Sequence, residues 1–369
     1  MRLKNIQLQH YRNYEELELD TGHSVNLFVG PNAQGKTNLL EAIFALALTK
    51  SHRTSKDKEL IGWQGETARI SGQVEKKYGN VRLELAYSAQ GKKARINGLE
   101  QRKLSDFVGT LNVVMFAPED LEIVKGTPGI RRRFLDMEIG QVQPGYLYSL
   151  QQYGKVLAQR NNYLKSAFGG KVQEAMLEVW NMQLAEHGVK MMKKRQTFIH
   201  KLQRWTEQIH TGITSGGEEL RIQYRPSFEL DASQDESVLF DQFMIKLSQV
   251  RDQELRRGMT MIGPHRDDLA FFINGKEAQI YGSQGQQRTT ALSLKLAEIE
   301  LIHEEIGEYP LLLLDDVLSE LDQNRQNQLI ATFEGKVQTF ITTTGLESVE
   351  MHKLHDAGVY HVKQGQVAR

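Results

Sequence analysis

The sequence predicts an α/β fold of mixed sheets and helices, interrupted by an inserted helical lobe. Three observations predict it. Apolar alternation marks strands toward both ends, as in Val81, Leu83 and Leu85, and Leu311-Leu312-Leu313-Leu314 reads as a fully buried parallel strand. Between Pro118 and about Arg257 the periodicity is mostly helical. A glycine-rich loop, Gly30-Pro31-Asn32-Ala33-Gln34-Gly35-Lys36-Thr37, joins a strand to a helix. These divide the chain into residues 1–116, an inserted lobe at 117–257, and residues 258–369 that return to alternating strands and helices.

In order, Leu3, Ile6 and Leu8 precede a bend at Tyr11-Arg12-Asn13-Tyr14, and Leu17 and Leu19 alternate with acids beyond it. Residues 24–29 read as a buried strand and 38–46 as an apolar helix. Lys50-Ser51-His52-Arg53-Thr54-Ser55-Lys56 reads either as a solvated loop or as a phosphate contact, to a nucleotide or to a nucleic-acid backbone. Asn97-Gly98 signals a hairpin, with Lys92, Lys93 and Arg95 beside it. Residues 112–116 form another short apolar strand. In the lobe, the helical stretch from about Val172 to His210 places Met176, Val179, Met182, Leu184, Val189, Met192, Phe198, Leu202 and Trp205 at helical steps. Lys190, Lys193, Lys194, Arg195, Lys201 and Arg204 read as a solvated face or a nucleic-acid face. Arg131-Arg132-Arg133 reads equally as ion pairing or DNA contact. Further on come a strand at 269–273, a helix at 287–306, strands at 311–314 and 338–342, and a last hairpin near Gly365.

The 369 residues are enough for two domains or lobes with a sizeable core. Forty-six basic residues balance 46 acidic ones, so any nucleic-acid surface must be local. There is no cysteine, which excludes disulfide and thiol chemistry. No run of about 18 apolar residues and no signal-peptide core occurs, so a soluble, cytoplasmic protein without membrane partners is expected.

The loop at 30–37 reads G-x-x-x-x-G-K-T, a phosphate-binding loop. Its backbone N–H groups cradle phosphates, Lys36 carries charge to the β/γ-phosphates, and Thr37 reaches Mg²⁺. A chance match in such a chain is roughly a one-in-a-hundred event. Asp315 ends a buried strand, where open α/β sheets bind ligands, and is the expected Mg²⁺ acid. Asp316, one residue on, is placed to orient or deprotonate an attacking water.

A third loop, Ser283-Gln284-Gly285-Gln286, opens a helix, which is an anion site in itself. It resembles the S-G-G-Q signature of ATP-binding-cassette (ABC) ATPases, which caps the γ-phosphate held by the other subunit, and Ser319-Glu320-Leu321-Asp322 resembles their S-A-L-D loop. Lys36 and Ser283 are 247 positions apart (283 − 36), room for a helical lobe where SMC-type ATPases carry a coiled coil. The full run of motifs resembles the RecF family of bacterial recombination-mediator ATPases. It includes Tyr11-Arg12-Asn13-Tyr14, the loop at 30–37, Lys50-Ser51-His52-Arg53, Phe116 to Leu121, Arg131 to Asp136, Gly263-Pro264-His265-Arg266-Asp267-Asp268, Gly282 to Arg288 and Leu313 to Asp322. The expected class is therefore an α/β, ABC/SMC-type P-loop ATPase head with an inserted helical lobe.

That resemblance implies a weak DNA-dependent ATPase using ATP and Mg²⁺. An ATP-dependent homodimer would clamp single-stranded or gapped duplex DNA, with RecR, RecO and RecA as partners in gap repair, replication restart and SOS induction. Two departures from ABC ATPases stand out. Glu119 or Asp120 takes the place of a Q-loop glutamine, and Thr343 or Thr344 that of the switch histidine. With Asp316 where many relatives carry Glu, slow turnover is expected. The alternatives are an ATP-binding subunit of an ABC transporter, against which the lobe argues, and a GTPase or kinase, for which no Asn-Lys-x-Asp motif exists.

Overall fold

A computed structural model describes all 369 residues except 168–172, 230, 232, 319–320, 334 and 347–355. Ser319 and Glu320 of the S-x-L-D loop thus lie outside the described residues.

The chain separates into two compact units. The first comprises Met1–Asp120, Ile209–Gly216 and Ala291–Arg369; the second comprises Leu121–Gln208 and Gly217–Thr290. The first begins with β1 (Arg2–Tyr11), β2 (Tyr14–Asp20), β3 (Val25–Val29), α1 (Lys36–Leu48), β4 (Thr67–Lys76), β5 (Gly79–Ser88), β6 (Gly91–Ile96), β7 (Leu99–Glu100) and β8 (Val113–Phe116). Then come α2 (Leu121–Lys125), α3 (Pro128–Val142), α4 (Pro144–Ser166), α5 (Glu174–Ile213), β9 (Leu220–Arg225), α6 (Glu236–Arg257), β10 (Asp268–Ile273), β11 (Lys276–Glu277), α7 (Ala278–Tyr281) and α8 (Gln284–Ile306). The chain closes with β12 (Leu311–Asp315), α9 (Gln323–Phe333), β13 (Thr339–Thr343), β14 (Ala357–Lys363) and β15 (Gln366–Ala368).

The first unit holds two sheets. One is antiparallel, in the order β2-β1-β4-β5-β6-β7, and one is mainly parallel, in the order β15-β14-β3-β13-β12-β8. Helix α1 touches β12, β13 and β8 of the parallel sheet and β1, β4 and β5 of the antiparallel one. A helix covered on both sides needs no polar face, and Leu39, Leu40, Ile43 and Leu46 are all fully buried. The β6–β7 hairpin turns at Asn97 (φ 51°) and Gly98 (φ 79°), the left-handed pair that an Asn-Gly turn supplies.

Strands β9, β10 and β11 form a separate three-stranded sheet in the second unit. Residues 258–290 were expected in one lobe with the rest of 258–369. They lie in the second unit because β10 pairs with β9 along its whole length. This unit is built on buried ions rather than on apolar contact alone. Arg131 makes a bidentate pair with Asp268 (2.7 and 2.9 Å), and Arg132 donates to the Asp267 carbonyl (2.8 Å). Arg131 is therefore ion-paired and Arg132 bonded to a backbone carbonyl, while Arg133 is exposed. Arg195 was expected on a solvated or nucleic-acid-binding face of its helix but is buried. It donates to Asp136 (2.7 Å), the Tyr146 hydroxyl (2.9 Å) and the Pro264 carbonyl (2.6 Å). Its charge satisfies acids that a 3.6-residue period cannot reveal. The start of α5 departs the other way: Met176, Val179 and Met182 are exposed.

Candidate nucleotide site

The site grows from three strand ends. Parallel strands β3, β13 and β12 lie side by side, so their carboxyl ends reach one edge of the sheet. From β3 the chain enters the loop at 30–37; β12 ends in Asp315; β13 ends in Thr342 and Thr343. Register pairs Asp315 with Thr342, and Thr343 with Val29.

The loop is held in shape from several sides. Gly30 N–H donates to the Thr343 carbonyl (3.3 Å), and a Cβ at Gly30 would come within 2.4 Å of the Val362 carbonyl oxygen. Gly35 has φ 115°, a conformation that side chains disfavour, and a Cβ there would meet the Asn13 amide at 2.6 Å. Asn13 Nδ2 donates to the Gln34 carbonyl (3.1 Å), the Tyr14 hydroxyl to the Gly35 carbonyl (3.0 Å), and Gly365 N–H to the Gln34 carbonyl (3.0 Å). The β1–β2 turn and the last hairpin thus both grip the loop.

Lys36 opens α1, and its Nζ donates to the carbonyls of Gly30 (2.5 Å) and Pro31 (2.8 Å). Burial lowers its pKa, against the opposing pull of Asp316 and Asp315. Asp315 Oδ1 accepts from Thr37 Oγ1 (2.9 Å) and from Thr342 Oγ1 (2.7 Å). Burial raises the Asp315 pKa more than these two hydrogen bonds lower it; Glu119 adds to the rise and Arg53 opposes it. Asp316 follows in left-handed backbone (φ 55°), its N–H donating to Thr342 Oγ1 (3.0 Å). One threonine hydroxyl therefore donates to the first acid and accepts from the second.

The basic stretch at 50–56 divides. Ser51 is buried and donates to Glu41 (2.5 Å), whereas Arg53 Nη1 donates to Asn38 Oδ1 (2.9 Å) and acts electrostatically on Asp315. Glu119 acts on Asp315, while the Asp120 carboxylate accepts from the Ala117 N–H (2.8 Å). Thr343 is buried, with its hydroxyl donating to the Gly345 carbonyl (2.8 Å), and Thr344 is exposed. Residues 30–37, Asp315 and Asp316 thus belong to the first unit.

Ser283, Gln284, Gly285 and Gln286 belong to the second unit. Ser283 caps α8 in a reciprocal box: Gln286 N–H donates to Ser283 Oγ (3.2 Å), and Ser283 N–H donates to Gln286 Oε1 (2.9 Å). Gln286 Nε2 also donates to Glu218 (2.9 Å). Ser283 and Gln284 are exposed. Because Ser283 Oγ accepts in the box, its hydroxyl hydrogen stays available to donate outward. In the second loop, Asp322 accepts from Arg325 N–H (3.0 Å) and caps α9.

Asn13, Tyr14 and Thr342 were not singled out as site residues from sequence. The run of three threonines after a predicted strand was a signal for the last of these, though it pointed to Thr343 or Thr344.

Comparison with known proteins shows what the whole chain is similar to. The family described as RecF/RecN/SMC N terminal domain matches residues 2–368. A DNA replication and repair protein RecF from Bacillus cytotoxicus is 56% identical over 367 residues, covering 100% of this chain and 98% of the relative. A solved structure of the recombination mediator protein RecF with ATPrS, in the RecFOR pathway, superposes with a TM-score of 0.92 at 36% identity, covering 99% of this chain and 97% of that one. An Smc head domain from Pyrococcus furiosus shares the fold, with a TM-score of 0.54 at 15% identity over 99% of this chain and 94% of that one.

Proposed function

This chain belongs to the RecF/RecN/SMC N terminal domain family, as a RecF-type ATPase head, and from that premise we propose that it is an ATP-dependent DNA-binding protein of recombinational repair. The observation that carries the reading is the Thr37–Asp315–Thr342 cluster at the mouth of a phosphate loop. ATP phosphates would lie along the N–H groups of residues 30–37, and Lys36 would exchange the Gly30 and Pro31 carbonyls for the β/γ-phosphates. The donor set fits Mg²⁺: Thr37 and Asp315 offer oxygens, and a carboxylate whose burial raises its pKa gains from a cation beside it. When bound, Mg²⁺ would neutralise charge on the transferring phosphoryl group. Asp316, which follows Asp315 in left-handed backbone, would orient the attacking water. Arg53 would be a phosphate contact to the nucleotide rather than to DNA.

In this reading each site is half-built. Ser283 to Gln286 would cap the γ-phosphate on a second copy of the chain, offering the free Ser283 hydroxyl hydrogen and a helix N-terminus. ATP would then close a homodimer around DNA backbone, and hydrolysis would open it. Aspartate at 316 and threonines near the switch position fit a weak, DNA-dependent ATPase, a timer of DNA residence. Family membership supports action in the cytoplasm with RecO, RecR and RecA, in gap repair, replication restart and SOS induction. Among the described residues no helix is long and apolar enough to cross a membrane.

The test is DNA affinity across a salt series, with and without ATP, for the natural chain and Lys36→Ala. Phosphate contacts give a falling log–log slope, and ATP should tighten binding only when Lys36 is present. Equal affinity in all four conditions sinks the reading.

A further inference from the structure

Trp63 is fully solvent-exposed, 105% by relative area. Single exposed apolar side chains are ordinary, but a whole indole without protein contact is not, because tryptophan is highly buried on average. The loop that carries it is specifically built. Gly62 N–H donates to the His10 carbonyl (2.7 Å), Gly65 N–H to the Gly62 carbonyl (3.0 Å), and Ile61 bridges Tyr11. A Cβ at Gly62 would come within 2.9 Å of the Arg12 carbonyl oxygen, and one at Gly65 within 2.6 Å of the His10 Cβ. Both glycines therefore let the loop seat on the β1–β2 turn, which holds up the indole. The other side of that same turn supports the phosphate loop, through Asn13 and Tyr14.

The surroundings decide what such a ring can meet. Gln64 and Glu66 follow it in the chain, and Lys56, Asp57, Lys58 and Glu59 precede it, separated from it by the buried Leu60, the half-buried Ile61 and Gly62. Two of the acids are engaged, Asp57 with Lys92 (2.9 Å) and Glu59 with Lys56 (3.5 Å), whereas Lys58 is exposed and makes no ion pair among the described residues. A protein-binding hot spot sits within a desolvated pocket, whereas the Trp63 indole is itself fully exposed. A lone flat ring, with an exposed lysine in no ion pair among the described residues five positions earlier in the chain, suits a base with its phosphate, since every base offers a π-face. That face is accessible only where bases are unpaired.

We propose that Trp63 is a stacking platform for an unpaired DNA base, with Lys58 contacting the adjoining phosphate. This rests on the DNA-binding reading and names where single-stranded DNA touches the first unit. Because the platform and the phosphate loop share one turn, DNA seated there is positioned to influence the nucleotide.

The experiment titrates the full chain, with ATP present, with a short oligothymidylate and follows tryptophan fluorescence. Trp180 packs on Tyr163 and Trp205 lies beneath Arg204, whereas Trp63 is fully exposed, and Trp63→Phe assigns the quench. The natural chain should be quenched. Trp63→Phe should bind within a few-fold of normal without the quench, and Trp63→Ala should lose about tenfold or more in affinity. Lys58→Ala should flatten the log–log salt slope by about 0.7. Trp63→Ala should also lose DNA stimulation of ATP hydrolysis and keep the DNA-free rate. Wild-type affinity in Trp63→Ala, or a quench that survives in Trp63→Phe, overturns the proposal and leaves the DNA-binding reading standing. Loss of self-association or of a protein partner, with oligothymidylate affinity intact, overturns it in favour of a protein interface. If the natural chain binds no DNA at all, both fall.

Discussion

Thr342 Oγ1 donates a 2.7 Å hydrogen bond to Asp315 Oδ1, across paired positions of two parallel strands. The same oxygen accepts the Asp316 N–H, so one hydroxyl sets the position of both acids. Thr342→Val keeps the shape and removes that hydroxyl. Loss of a group that orients a metal ligand typically costs about 10- to 100-fold in metal affinity or activity. ATP hydrolysis should therefore fall by that order, with a raised magnesium requirement and an unaltered fold. A variant with normal magnesium dependence would remove Thr342 from the site.

Asp315 supplies a second test through its pKa. Burial raises it, so between the ordinary carboxylate value and the raised one the folded state holds an extra proton. Stability then falls as pH rises through that window, and at neutral pH the buried charge is destabilising. Asp315→Asn removes the charge and keeps the Oδ1 acceptor for Thr37 and Thr342. Thermal melts should show a raised midpoint without nucleotide, and loss of the further rise on adding ATP with magnesium. A lowered midpoint in the nucleotide-free variant would contradict this.

Asn13 ties the β1–β2 turn to the site by donating to the Gln34 carbonyl and accepting from Asn38 Nδ2 (2.7 Å). Asn38 in turn accepts from Arg53. Asn13→Ala cuts this chain, and a net loss of about 1 kcal/mol corresponds to roughly fivefold weaker ATP binding. Nucleotide titration reads it directly, and the thermal midpoint should barely move because Asn13 is exposed. Unchanged ATP affinity would make the chain incidental.

His265 supplies a test of the acid response of the second unit. The Tyr153 hydroxyl donates to its Nδ1 (2.7 Å), and its Nε2 donates to the Thr260 carbonyl (3.1 Å), which requires the neutral ring. Burial, with Arg266, Arg132 and Arg160 nearby, pushes its pKa down to about 4. The unfolded chain takes up the proton first, so stability is lost as pH falls from the ordinary value of 6.5 toward 4. The loss reaches at most about 3 kcal/mol. Denaturant unfolding between neutral and mildly acid pH should show it, and His265→Gln should flatten the dependence. An equal slope in both proteins would place the sensitivity elsewhere.

The parts of the site legible in sequence are those written contiguously. Gly30 to Thr37 carries its own glycines, lysine and threonine, and the run of leucines before Asp315 announces a buried strand end. Thr342 was illegible because its role depends on β13 lying between β3 and β12, an order that only tertiary packing sets. Asn13 and Tyr14 were seen as a bend, but nothing local says what a bend supports. Arg195 looked like its lysine neighbours because period reports which face a residue is on, not which acids await it there. Ser283 and Gln286 were read as phosphate ligands; in the structure they form a helix-capping box, which the same Ser-x-x-Gln spacing also encodes.

The central proposal is that each nucleotide site is completed by a second copy of the chain. Mixing Lys36→Ala with Ser283→Arg tests it most directly. Each variant alone has every composite site damaged, whereas a mixed dimer keeps one site with an intact loop at 30–37 and an intact Ser283 loop. The account predicts that neither variant hydrolyses ATP alone and that the mixture regains a substantial part of the normal rate. A mixture as inactive as its components, or full hydrolysis by Ser283→Arg alone, would contradict it.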